Sequence, residues 1–489
     1  MQSSFLLPFF LTVLVVFAVA KPALHGFPSS SFNTPNAAFP GVQSTVSARG
    51  INQIRDTIVE VIRSQLTNVR LPDQSGKVST PIGHVKYSLT DLILSDPSFG
   101  SINIRNDGNG IRLEISGVYV HVHMHWKYKK SPISDSGRAE IDVNNVFIGA
   151  TLDVVANPSG VPTASIRDVA VSIGSLKIHL HGGASWLYKI FVDVFSHDIK
   201  KSVQHAVQST ATSVLNAAIK QSLSDINPIH PLDAYADLDF RVLGTTFSPL
   251  GYVNSKFAGN LLVKNDKTRP DIPSYPMPDK ANEQMLQLFV GQYALNSAGL
   301  VYHVGGALKG VLRDSDIPAD FWIRMNTQSW RFIIPELYEK YPDMEMEAVV
   351  ASASSPSTFI NEQGISVLVP AIANVSVILP NGNRHAVFSL SVSLSTSAKV
   401  WVNTLRLHGK LNLLSFKFSV VEMEFGEFDA EGLTKVVNEV CNWVIVPFLN
   451  VALEKGFDIP MTKGVEVIEP TITYGQGFMV VSTDFKYHL

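Results

Sequence analysis

The chain has 489 residues, a formal net charge of −3, 45% hydrophobic and 17% charged residues, and one cysteine. Single hydrophobic cores rarely grow past roughly 250–300 residues, so two or more domains are expected. This composition excludes a disordered chain, and a lone cysteine excludes a disulfide-stapled scaffold.

In chain order, residues 5–20 form an uncharged apolar run ending in Ala18, Val19 and Ala20. It has the length and small-residue ending of a cleaved signal peptide over residues 1–20, though no Lys or Arg precedes it. Secretion follows as an expectation. Residues 50–68 place Ile51, Ile54, Ile58, Ile62 and Leu66 at three- and four-residue spacing, one apolar helical stripe. Runs rich in β-branched residues follow at 85–94, 110–126, 138–155 and 164–180, separated by turn-forming residues. A second helical pattern covers 185–224.

Prolines 228, 231, 249, 270, 273, 276 and 278 then mark a connector around strand-like 238–243 and 257–263. The second half repeats the order. A helix is predicted at 281–297, strands at 302–313, 320–327, 344–354, 365–378, 384–402 and 404–424, and a closing helix at 430–455. A curved antiparallel sheet wrapped on a long apolar helix closes into a tapered barrel, so the expected class is α+β with two such barrels. The predicted division is signal peptide 1–20, extension 21–39, N-terminal barrel 40–230, proline-rich linker and central sheet 231–280, and C-terminal barrel 281–489.

Charge separates the halves. Residues 21–230 hold 19 Lys+Arg against 15 Asp+Glu, while 231–489 hold 20 against 27. Ten of the 14 histidines lie in the first half. An unperturbed imidazole titrates near pH 6.5, so acidification makes the first half the more cationic. This favours an anionic ligand there, bound more strongly as pH falls; ordinary scatter of surface charge is the alternative.

His121, His123 and His125 share one face of a predicted strand. An H-x-H pair can ligate zinc, but the sequence offers no obvious fourth ligand, so a solvated strand face is the preferred reading and no metal is assigned. Lys127, Lys129 and Lys130 follow, just before a Ser131-Pro132 turn, and place cations at a hairpin tip. Trp126 and Tyr128 in this run suit either a head-group boundary or the sheet interior. Cys441 falls in an apolar helical pattern and reads as a buried, inert thiol.

No G-x-S-x-G elbow, H-E-x-x-H, P-loop or C-x-x-C occurs, so no enzyme and no cofactor are expected. Gly182, Gly183, Ala184 and Ser185 resemble only a fragment of an oxyanion loop. A lipid-cleaving esterase is the reading from another class, and it would have to release free fatty acid. Asn374-Val375-Ser376 is a glycosylation sequon.

Several runs resemble one family. They are Tyr293 to Tyr302 (YALNSAGLVY), Ile334-Pro335-Glu336-Leu337, Tyr341-Pro342-Asp343-Met344 and Gly364 to Pro370 (GISVLVP). The first half adds Pro40-Gly41-Val42, Gly50-Ile51, Leu71-Pro72-Asp73, Asn157-Pro158-Ser159-Gly160 and Gly182 to Leu187 (GGASWL). Together they resemble the family of bactericidal/permeability-increasing protein and lipopolysaccharide-binding protein, which belongs with the plasma lipid-transfer proteins. The Gly182 run looks most like its plant-type members. The resemblance implies two barrels joined by a central sheet into an elongated boomerang, with apolar tunnels for acyl chains lined at Ile54, Ile58 and Ile62.

It also implies a distal cationic tip at Lys77, His84, Lys86, Trp126, Lys127, Lys129 and Lys130 that meets lipid phosphates. The implied partners are lipopolysaccharide or phospholipid and the bacterial outer membrane surface, with no nucleic acid, for a secreted monomer of antibacterial innate immunity. A phospholipid carrier without microbial recognition is the alternative. Animal members carry a disulfide where this chain has none, in the regions 163–167 and 207–211.

Overall fold

The structure, a computed structural model, describes residues 39–487 except 57–68, 81–82, 108–109, 183–199, 206, 210, 214–215, 217–226, 249, 267, 404–405 and 459–464. The signal peptide, Ile58, Ile62, the residues after Gly182 in its motif and much of the 185–224 pattern lie outside the described residues.

Alternating apolar residues in the first half form the long antiparallel strands Gly83–Ser98, Gly110–Lys130, Ile133–Ala156 and Pro162–His181. Gln74–Thr80 pairs with the first and Ser101–Asp107 with the second. Along Gly110–Lys130, Val118, Val120, Val122, Met124, Trp126 and Tyr128 are buried, and the residues between them point outward. The buried face forms one core with Val203 and Val207 of the following helical stretch. Fully burying a Val, Leu or Ile side chain contributes about 1.5–3 kcal/mol, so truncating Ile141 at the centre of this face costs about 2–5 kcal/mol.

The same strands show why the sheet curls. Register breaks fall between Thr90 and Ile93, Ser95 and Ser98, Val118 and Val120, and Gly149 and Thr151. Asp91, Asp96, Asn145 and Asp168, all with φ near +50°, sit in these breaks. Asp and Asn tolerate the left-handed region, and each extra residue bends and twists its strand. Leu71-Pro72-Asp73 serves one such bulge, because the Asp73 carboxylate accepts a hydrogen bond from the Asp91 amide at 3.1 Å.

The second half builds a seven-stranded sheet around Met346–Ser352, Gly364–Ile378, Arg384–Asn403 and Arg406–Met423. Its core includes Leu433, Val436 and Val437 of the helix Ala430–Val440, and a second helix, Val446–Lys455, bonds to the sheet through Asn450 and the Leu411 backbone. A π turn, Cys441–Ile445, joins them, with the Val446 amide bonded to the Cys441 carbonyl. Pro447 explains it. Its ring has no N–H and crowds the preceding turn, so the helix widens by one residue there.

A six-stranded sheet joins the halves. Its two inner strands, Val42–Val46 and Leu286–Gly291, pair antiparallel with Val42 opposite Val290 and Val46 opposite Leu286. Val42–Val46 is flanked by the hairpin Val242–Phe247 and Val253–Phe257, and Leu286–Gly291 by the hairpin Val465–Gly475 and Phe478–Tyr487. Each half therefore repeats one order: strand, helix, long sheet, helix, hairpin. The fold is α+β, two antiparallel barrel sheets joined through a central one.

Two expectations are corrected. Leu286, Leu288 and Phe289 belong to a central-sheet strand, not a helix, and the helix is Gln292–Val304. That strand is covered on both faces, so its apolar residues do not alternate, and a short apolar run fits either element. Residues 320–327 are largely irregular, with an isolated bridge from Asn326 to Glu345 and a short helix Thr327–Trp330, because Arg324 and Trp330 bond locally to Asp314 and the Arg324 carbonyl.

Candidate functional site

The outward face of Gly110–Lys130 carries the chemistry. Strand pairing sets side chains into rows across neighbouring strands. Lys77 is opposite Lys86, and Lys86 opposite Lys129, giving three ammonium groups in one row over three strands. The next row runs Ser75, Ser88, Lys127, Ser136. Lys77, Lys86, Lys127 and Lys129 are exposed, and none has a carboxylate partner among the described residues. His84 is exposed one row nearer the end, its Nδ1 3.0 Å from the Ser79 hydroxyl.

Trp126 and Lys130 differ. Trp126 is 2% exposed, stacks on Tyr128 at 6.1 Å and donates its indole N–H to the Arg138 carbonyl at 3.0 Å. It belongs to the core beneath the lysines rather than to the charged face. Tyr128 is buried too, which pushes its phenol pKa upward. Lys130 has the inward parity of Trp126 and lies at the strand end beside Gly83. Ile54 is buried at the start of its helix. Asn374 is exposed in mid-strand, its side-chain oxygen accepting from the Ser389 hydroxyl at 2.8 Å.

Beyond Lys127 the face turns to histidine. The rows are His125, Arg138, His181; then His123, Glu140, His179; then His121, Asp142, Lys177. Asp142 is the hub of the last. It accepts the Tyr119 hydroxyl at 2.6 Å, lies 2.9 Å from His121 Nδ1 and 3.4 Å from His179 Nε2. The Tyr119 hydrogen bond first, and then that of His121, lower the Asp142 pKa; reciprocally Asp142 pushes the Tyr119 phenol up to about 12. His181 pairs with Glu140 at 3.6 Å and His125 with Asp91 at 3.5 Å. Among the described residues, His121, His123 and Glu140 bring one potential ligand atom each within 4.8 Å of the others. Glu140 was missed in sequence; only the strand register shows that it stands opposite His123.

Cys441 is buried, and burial pushes its thiol up to about 12. No helix among the described residues is long and apolar enough to cross a membrane.

Two curled sheets stand on a shared central sheet, and one bears a lysine row with no carboxylate partner among the described residues. The LBP/BPI/CETP family models match residues 50–218 with the N-terminal domain and residues 230–487 with the C-terminal domain. The chain belongs to the LBP/BPI/CETP family. It is 27% identical over 460 residues to the bactericidal permeability-increasing protein of Sebastes schlegelii, covering 92% of this chain and 95% of that one. To the lipopolysaccharide-binding protein of Homo sapiens it is 25% identical, covering 93% and 96%. To a putative BPI/LBP family protein of Arabidopsis thaliana it is 25% identical, covering 95% and 96%. A crystal structure of lipopolysaccharide binding protein matches its fold with a TM-score of 0.61 at 22% identity, covering 92% of this chain and 100% of that one.

Proposed function

We propose that this is a secreted, monomeric, non-enzymatic lipid-binding protein that recognises lipopolysaccharide through lipid A, in antibacterial innate immunity. One observation carries the reading: the row Lys77, Lys86, Lys129, with Lys127 beside it, where exposed ammonium groups share one face and have no carboxylate partner among the described residues. Like charges directly opposite on a sheet cost stability, so the row has a use other than folding. A phosphorylated head group supplies the missing anion, through charge-assisted hydrogen bonds about twice as strong as neutral ones. The Homo sapiens relative is named for binding lipopolysaccharide and the Sebastes schlegelii relative for a bactericidal effect, which supports the ligand and the role respectively.

In this reading Lys77, His84, Lys86, Lys127, Lys129 and Lys130 form the head-group tip, Trp126 supports it from within, and residues 40–230 and 281–489 hold the two lipid-binding barrels along with strands of the central sheet. Ile54 lines the first acyl tunnel, where each buried CH₂ contributes about 0.8 kcal/mol; Ile58 and Ile62, assigned to the same lining from sequence, lie outside the described residues. Asn374, exposed on its strand, carries a glycan.

The test is a binding titration of the purified chain with lipid A and, separately, with neutral phosphatidylcholine vesicles. Preference for lipid A that weakens with added salt is expected. Equal, salt-independent binding of both would replace this reading with that of a phospholipid carrier.

A further inference from the structure

The histidine rows hold more than charge. His121 and His123 lie two residues apart on one strand face, with ring centroids 4.5 Å apart, and Glu140 stands directly opposite His123 on the next strand. One potential ligand atom from each comes within 4.8 Å of the other two. Around a tetrahedral cation with metal–ligand bonds near 2.0–2.1 Å, ligand atoms lie roughly 3.3 Å apart. Closing the remaining distance takes side-chain rotation, which the partly and fully exposed positions of these three residues permit.

A second observation concerns orientation. His121 Nδ1 lies 2.9 Å from Asp142 Oδ1, and a carboxylate oxygen accepts, so the ring donates its Nδ1 hydrogen to Asp142. That fixes the tautomer and leaves Nε2 as the nitrogen with a free lone pair. A ligating histidine commonly donates its other N–H to a carboxylate in this way.

We propose that the outer face of the N-terminal sheet carries a divalent transition-metal site of the Zn²⁺ class, with His121, His123 and Glu140 as ligands and Asp142 orienting His121. Two imidazoles and a carboxylate match zinc rather than Ca²⁺ or Mg²⁺, which take oxygen ligands. A solvent molecule completes the coordination on the exposed side. The six residue steps from His123 to Lys129 span roughly 20 Å of strand, so the metal and the lysine row are separate sites.

The experiment is equilibrium dialysis of the full, untagged chain against Zn²⁺ at pH 7.5 in a weakly coordinating buffer, read by elemental analysis. One retained equivalent is expected, undisplaced by excess Ca²⁺ or Mg²⁺. His123→Ala and Glu140→Gln, both on the outer face, should each weaken retention about tenfold or more, and Asp142→Asn by about 10–100-fold. No saturable binding, or binding unchanged in both His123→Ala and Glu140→Gln, overturns the site. Unchanged affinity in Asp142→Asn alone overturns the orienting role.

Discussion

Lys86 and Lys129 stand directly opposite each other on neighbouring strands, and Lys77 extends the row onto a third. Adjacent strands lie about 4.8 Å apart, so the ammonium groups repel through solvent. Lys129→Gln removes that repulsion and keeps most of the side chain. It should stabilise the fold by a few tenths of a kcal/mol at low salt, with the gain fading at high salt. A lower urea midpoint for the variant would contradict the repulsion.

Gly137 allows the Trp126 ring to lie flat beneath the lysines. A Cβ there would meet the His181 carbonyl oxygen and approach Trp126 Cζ2 at 2.8 Å. Gly137→Ala should therefore cost about 1–3 kcal/mol through overpacking. Thermal unfolding checks this, and an unchanged midpoint would show that the strand yields freely.

Asp142 and Tyr119 give a pH signature with two edges. The Asp142 pKa is lowered, so its contribution to stability is present above the ordinary carboxylate range and lost as pH falls through the depressed value. The Tyr119 pKa is raised to about 12, so its contribution is complete below about pH 10 and lost as pH rises through 12. Asp142→Asn should bring Tyr119 down toward pH 10 in an ultraviolet titration, and cost about 1–2 kcal/mol near neutrality. A tyrosine titration identical to that of the parent chain would remove Asp142 as the cause.

Cys441 should stay unmodified by an aromatic disulfide reagent at pH 8. Its thiol is buried and its pKa pushed up to about 12, leaving little thiolate to react. One thiol should appear on denaturation. Rapid labelling of the native protein would mean that the π turn opens readily.

The long strands of the first half were legible because one face is buried and the other wet, so apolar residues alternate from Val118 to Tyr128. The lysines and histidines could be seen in sequence as one face for the same reason. The central sheet was harder to read. Leu286–Gly291 is covered on both faces, and Val42–Val46 buries Gln43, Ser44 and Thr45 against the hairpin at 242–257 and the strand at 286–291. No periodicity marks such strands, because their surroundings are supplied by residues more than 200 positions away, as in the pairing of Val42 with Val290. Register was hidden likewise. That Lys77, Lys86 and Lys129 share a row, and that Glu140 meets His123, depends on hairpin lengths and bulges rather than on any local motif.

The most direct measurement compares the parent chain with a variant in which Lys77, Lys86, Lys127 and Lys129 are all glutamine, using lipid A and phosphatidylcholine at about 50 mM salt. The lysine row as an anion receptor requires lipid A affinity to fall roughly tenfold or more, about 1.4 kcal/mol at least, with phosphatidylcholine unaffected. Equal lipid A affinity in a variant with native circular dichroism would contradict it.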